Sequence, residues 1–582
     1  MWGRRALAAL PALLLLAADP GGWFAFAPIK GLVLGVVAAF AASSALRVDP
    51  IRAPAALLWA LGGLLGWLAV AALVGLDPIY AWTGTPERHL GWITWALLAL
   101  VLLAATTIDV QRDEPALPIG LAVAGIGLGG FAAAEALGWE PALFDASDRL
   151  TATLGSSAYL GAAAALLLPA VVGVAVDAAL PLAVRVAGAV AAPLLAVALI
   201  GSGARAAWVG LAAAGVVVAW WRRHDLRTHA RGALVAAGLG LVALVLVAVL
   251  TPAGSRAAAL TDKDAAGGQG RVDEWRVATR VIADHPLSGV GPEGYRIAFG
   301  GAVDAAYERA HGRTEQPDRA HSAPLDLALA GGLPALAAWL ALVVVVGRPV
   351  WRCGRSGRPL LVGLAAALVA HLVGSLFLFP TAEIDPVAWL LAGVVVANAP
   401  PTPPRPWLLP RAVPLAIGAL VAVFAVAGVL DVAADHQAKT AVDALAAGRH
   451  ADADRAARDA VALRPDEVRL RVLAAQAAVA DERGAIAGLA QLDRGLDVSP
   501  GDPIARRDRL QLLVDRAIAT GVPAHLDTAR RQLVAELRRD PHHADLWRLR
   551  ARLASAEGDQ RTATAATATA DDLEPNRAVQ RG

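Results

Sequence analysis

The sequence predicts an all-α protein: a polytopic transmembrane bundle of about 13 spans followed by a soluble α-helical repeat domain. Three observations predict it. Of 582 residues, 57% are hydrophobic, and the mean hydropathy of +0.53 is more than a soluble domain usually sustains. Apolar runs near the length that crosses about 30 Å of hydrocarbon recur up to residue 430. From residue 438 onward the composition turns to Ala, Arg, Asp and Leu with helical periodicity.

The runs fall at 6–18, 26–46, 54–75, 89–107, 118–138, 155–176, 182–201, 204–221, 232–251, 321–347, 359–379, 384–398 and 411–430. The run at 6–18 follows Arg4 and Arg5 as a signal peptide would, but no small-residue cleavage site follows it, so it reads as a retained first helix. Basic residues set the orientation. With the N-terminus cytoplasmic, the clusters at 222–231 and 348–358 both fall inside, and so do Arg47, Arg52, Arg112, Arg185, Arg405 and Arg411. The hydrophilic stretch 252–320 and everything after residue 430 then lie outside. The expected domains are 1–435, a membrane domain carrying that large loop, and 436–582, the tail.

In the tail, turn prolines recur at Pro465, Pro500, Pro541 and Pro575, at intervals of 35, 41 and 34 residues. This spacing resembles degenerate tetratricopeptide repeats, helix pairs that bury their apolar faces by stacking. The Pro-rich segment 399–410 separates tail and last span from the bundle.

Composition also excludes functions. The single cysteine, Cys353, rules out an intrachain disulfide and a cysteine-based zinc site. The net charge of +2 gathers in short loops, which gives no nucleic-acid-binding patch. Asp262 and Asp264, an Asp-x-Asp in a flexible stretch, read as solvated, so no metal and no cofactor are expected.

Three sites carry charge or imidazole at the outer edge of the spans, where insertion costs roughly 2.5–3.5 kcal/mol per charge and each group asks for a reason. In "GSGARAAWVGL", Arg205 opens a helix, where a cation opposes the macrodipole unless an anion lies beside it. In "GRVDEWRVATRVIADHPLSGVGPEGYR", Arg271 lies near the start of a helix with Trp275, Ala278 and Ile282 as its apolar stripe, while Arg276 and Arg280 read as solvated or paired. The following "HPLSGVGPEGY" bends at Pro286, Gly289, Gly291 and Gly294 but lacks the Lys-Ser/Thr of a phosphate loop. In "RAHSAPLDLALAGGLPAL", His321 sits where the chain re-enters the membrane, and a neutral imidazole can take a proton from a hydroxyl.

Taken in this order, "ARAAWVGL", "RVDEWRVATRVIADHPLSGVGPEGY" and "HSAPLDLALAGGLPAL" resemble the bacterial O-antigen ligase and O-antigen polymerase family. "TLGSSAYLGAAAALLLP" and "GTPERHLGW", with Arg88, resemble its upstream segments, so the resemblance covers residues 80–400. Ala204, Ser322 and the pair Ser156 and Ser157 depart from the Ser and Asn residues that the family carries there. The resemblance implies a fold like the GT-C type of membrane glycosyltransferase. It implies transfer of a glycan from a polyprenyl diphosphate carrier to a hydroxyl on a lipid, polysaccharide or protein acceptor, without a metal, at the outer face of the bacterial cytoplasmic membrane. Arg205 and Arg271, with Arg88 as a third, would then hold the diphosphate and His321 would serve as base. Glu383 and Asp385, in a short outer loop, are candidates to orient His321 or the acceptor. A polymerase of the same family, a protein O-oligosaccharyltransferase, and a scaffold whose repeats dock a protein partner are the alternatives.

Overall fold

Helix is the only regular structure among the described residues, and hydropathy explains why: a chain without water around it must satisfy its amides internally. The computed structural model describes residues 2–111, 115–139, 149–223, 268–313, 317–400, 408, 410–481 and 483–574. The span expected at 232–251, the pair Asp262 and Asp264, and most of the Pro-rich segment lie outside the described residues.

The bundle begins with α1 (Trp2–Leu16), α2 (Ala27–Val48) and α3 (Ala55–Val74), then the single turn α4 (Tyr80–Thr83) and α5 (Trp92–Ala105). It continues through α6 (Ala116–Ala136), α7 (Ser157–Val176), α8 (Leu182–Ser202) and α9 (Arg205–Trp221). Small residues let these helices close on one another. Gly173 of α7 lies so near residues 359–363 that an added Cβ would meet the Pro359 carbonyl at 2.8 Å and the Gly363 Cα at 3.0 Å.

Eight described helices are long and apolar enough to cross a membrane, and α5, α9 and α15 (Asp385–Ala397) are apolar but shorter. The chain is a multi-pass membrane protein. The run at 384–398 is a helix of 13 residues. Residues 378–384, just before it, are non-helical and mostly buried in protein.

The segment after residue 267 folds as α10 (Gly268–Asp284), α11 (Tyr295–Ala302) and α12 (Ala305–His311). Its core is built on Val277, Ala278, Val281, Phe299 and Tyr307. The buried face of α10 is thus rotated from the expected stripe: Ala278 is central, while Trp275 and Ile282 sit half-buried at its margins. Arg276 and Arg280 are paired, with Asp273 and Asp304.

α13 (Ala323–Ser356) returns through the bundle and is broken at Gly331 and Gly332, the latter with φ of +68°. The break explains the "HPLSGVG" turn. Pro286 accepts from the freed amide of Leu333 at 2.8 Å, Val290 donates to the Leu329 carbonyl at 2.7 Å, and the Trp67 indole donates to the Gly331 carbonyl at 2.7 Å. A turn and a kink that are each unsatisfied alone complete one another's hydrogen bonds.

α14 (Pro359–Gly374) and α15 complete the bundle core. α16 (Ala412–Ala446) then runs unbroken for 35 residues, so the expected boundary at 435/436 falls inside a helix. Its upper half joins the tail, α17 (His450–Leu463), α18 (Val468–Ala480), α19 (Gly484–Val498), α20 (Pro503–Thr520), α21 (Pro523–Arg539), α22 (Ala544–Ala556) and α23 (Gln560–Leu573), each packed on the next.

The tail is seated on the same end of the bundle as α10–α12. Buried Arg296 bridges Asp77 of the bundle and Asp502 of the tail, the latter at 2.6 Å. Arg313 joins Glu308 at 2.7 Å to Asp540. Tyr80 donates to Glu467, and Arg469 pairs with Glu87 at 2.6 Å.

Candidate functional site

A cavity of about 640 Å³ opens at the tail-bearing end of the bundle, between the starts of α9, α10 and α15 and the end of α14. Arg149, Arg205, Arg271, Trp275, His371 and Asp385 line it.

Two of these arginines come from first helical turns. Arg205 is the first residue of α9, behind the extended Ala204, and Arg271 lies in the first turn of α10; neither turn contains an acid. The local field of each helix start is therefore positive before the guanidinium is added, and both arginines line one cavity. Arg271 is steadied by a 3.3 Å bond to the Phe377 carbonyl. Trp275, one turn on, donates to the Ala320 carbonyl at 2.9 Å and so ties α10 to the strand of chain that carries His321.

Arg88 and His321 stand behind this cavity. Phe379, which lines it, is the shared partition: the Arg88 guanidinium lies 4.9 Å from its ring centre, the His321 ring 5.2 Å and the Tyr159 ring 5.9 Å. Arg88 also pairs with Asp318 at 2.7 Å and donates to the Tyr159 hydroxyl at 2.7 Å. Its charge is thus committed to a neighbour.

His321 has φ of +51°, a left-handed conformation that a non-glycine residue adopts only when its surroundings impose it. Asp326 imposes it, accepting from the amides of Ala320 at 2.9 Å and Ser322 at 3.3 Å on either side. Burial, then the nearby Arg271, push the His321 imidazole down to about 4, which keeps it neutral. The adjacent Asp318 carboxyl lies below its ordinary range, because Arg88 outweighs the effect of burial.

The two accessory candidates part company. Asp385 lines the cavity, but its imidazole partner is His371, with Oδ1 at 3.3 Å from Nε2, and not His321. Glu383 is buried; burial pushes its carboxyl up, and Lys30 of α2 acts against that shift. Lys30 donates to the Thr153 carbonyl at 2.9 Å.

Sequence reasoning missed Arg149, Tyr159, Asp318, His371 and Phe379. His371 carried a signal, a titratable group inside the apolar run 359–379. Asp318 stood in "PDRAHS", three residues before His321. Phe379 gave none, since "LFLFP" reads as ordinary span.

This is a multi-pass membrane protein with a cationic cavity at one end. Residues 190–340, from α8 into α13, match the family described as O-Antigen ligase. The matched stretch contains Arg205, Arg271 and His321 and supports that family, membrane proteins that ligate or polymerise glycans. A comparison with curated proteins returned no match.

Proposed function

We propose that this protein is an O-antigen ligase-type glycosyltransferase that moves a glycan from a polyprenyl diphosphate to an acceptor hydroxyl at the extracytoplasmic face of the membrane. One observation carries the reading: two arginines at helix starts line one cavity at the tail-bearing end of the bundle. A diphosphate on a lipid is the anion that such a place suits, and guanidinium forks bind its oxygens without a metal. Among the described residues no His, Cys, Asp and Glu cluster of metal-binding size occurs.

In the proposed reaction the acceptor oxygen bonds to the anomeric carbon as that carbon's bond to the diphosphate breaks. The hydroxyl proton passes to a base, and the lipid diphosphate leaves with one more negative charge. Arg205 and Arg271 stabilise that charge. His321, neutral and strained into place, is the base or the group that orients the acceptor. Arg88 serves as a support: it holds Asp318, Tyr159 and Phe379 together behind the cavity. The tail reads as tetratricopeptide-like pairs extending the same face, a surface for a protein partner.

Arg205→Ala or Arg271→Ala is expected to lower transfer by about 100-fold or more, as for a lost transition-state charge contact, while membrane insertion persists. Transfer from a lipid-linked donor in reconstituted vesicles reads this out; full activity in both variants and in His321→Ala would discard the assignment. A deletion strain separates ligase from polymerase: unattached full-length polymer marks a lost ligase, single repeat units a lost polymerase.

A further inference from the structure

A second, apolar cavity of about 360 Å³ lies among α5, α9, α13, α14 and α15, walled by Trp95, Trp221, Trp339 and Trp351. It shares three residues with the arginine-lined cavity: His371, Ser375 and Asp385. A charged pocket and an apolar one thus meet at a His–Asp pair.

The pair is built for one orientation. Asp385 opens α15, and its Oδ2 accepts from the Thr381 amide at 2.6 Å. Its Oδ1 faces His371 Nε2 at 3.3 Å, which assigns the ring proton to Nε2 and leaves Nδ1 as the open position. His371 is held one turn from the end of α14, and its ring makes no other hydrogen bond among the described residues.

We infer that His371, oriented by Asp385, is a binding residue for the lipid-proximal phosphate of a prenyl diphosphate, placed where the charged headgroup passes into the hydrocarbon chain. This rests on the proposed function and adds a group to it. In the bound state the ring, carrying both protons, donates Nε2–H to Asp385 and Nδ1–H to a phosphate oxygen. The chain then runs on into the tryptophan-walled cavity.

The test uses the full-length protein in detergent and two probes, a polyprenyl diphosphate without sugar and inorganic diphosphate. His371→Ala is expected to weaken the lipid probe about tenfold, the effect of one charge-assisted hydrogen bond, and inorganic diphosphate by much less. His371→Gln, whose amide still donates, should recover most of the loss, which a merely structural role would not allow. In transfer assays the loss should appear in KM for the donor with kcat nearly kept. Unchanged affinity for the lipid probe in His371→Ala, or an equal loss for both probes, overturns the inference. If Arg205→Ala weakens the lipid probe and His371→Ala does not, only this inference fails; if the wild-type protein binds neither probe, the functional reading fails with it.

Discussion

Residues in this protein are set by what burial does to charge. His321 is pushed down to about 4, below its ordinary value, so its neutral form persists well into the acid range. An ordinary histidine loses its base function near pH 6.5. Here the acid limb due to His321 should fall near pH 4, and kcat/KM should stay level from neutral pH down to about 5.5. A limb centred near the ordinary value would show that the base is another group. Glu467 runs the other way. Burial pushes its carboxyl up to about 8, where it accepts from Tyr80 at the tail contact. A raised carboxyl binds its proton in the folded state first, so its contribution is full below the ordinary glutamate range and is lost as pH rises through about 8. Glu467→Gln should therefore flatten the decline of melting temperature between pH 6 and pH 9; a decline as steep as wild type would show that other groups govern it. At this scale the sequence was readable where a charge interrupted an apolar run, as at Arg205. It was mute where the decisive partner was apolar, as at Phe379, or lay far along the chain, as Asp318 does from Arg88.

Elements are defined by where their hydrogen bonds go. The periodicity of "LDLALAGGLPALAAWL" predicts a continuous helix, and the gain from ending one turn's bonds at Gly331 and Gly332 is visible only when "HPLSGVG" is laid against them. Gly332 sits at φ of +68°, and an added Cβ would strike the Leu287 carbonyl. Gly332→Ala should cost about 1–3 kcal/mol from backbone strain alone, with the clash in addition. Gly63→Ala, where nothing lies within 4 Å, should leave stability unchanged. Thermal unfolding of the two variants in detergent decides this, and equal melting temperatures would argue that the turn does not depend on the kink. α15 (Asp385–Ala397) falls within the run expected at 384–398, because the charged pair Glu383 and Asp385 marks its start.

For the whole molecule, the fold class followed from hydropathy, but the seating of the tail did not. Arg296, Arg313 and Tyr80 lie in stretches that read as loop, and their partners stand 206, 227 and 387 residues away. No local pattern reports such pairings. Buried Arg296 needs both Asp77 and Asp502. Removing one partner of a buried pair costs about 3–5 kcal/mol, so Asp502→Ala should loosen the tail and expose α11 to protease. A chain ending at residue 435 should be less stable than the full protein and lose transfer through the loop, even if the tail touches no substrate. Proteolysis of α10–α12 at the wild-type rate in either variant would show that the tail is an appendage.

The last span and the first tail helix are one rod, α16, clamped at two points: Pro414 accepts from Ser43 at 2.9 Å, and Asp435 accepts from the Phe24 amide at 3.1 Å. A rod of this kind transmits phase as well as position. One extra residue spliced in between these clamps would turn everything beyond it by about 100° and lift it about 1.5 Å, because the helix advances in fixed steps. Seven extra residues, close to two whole turns, would nearly restore the bearing while adding about 10 Å of height. Activity plotted against the number of inserted residues should therefore rise and fall with the helical repeat, as a gear meshes only at certain teeth.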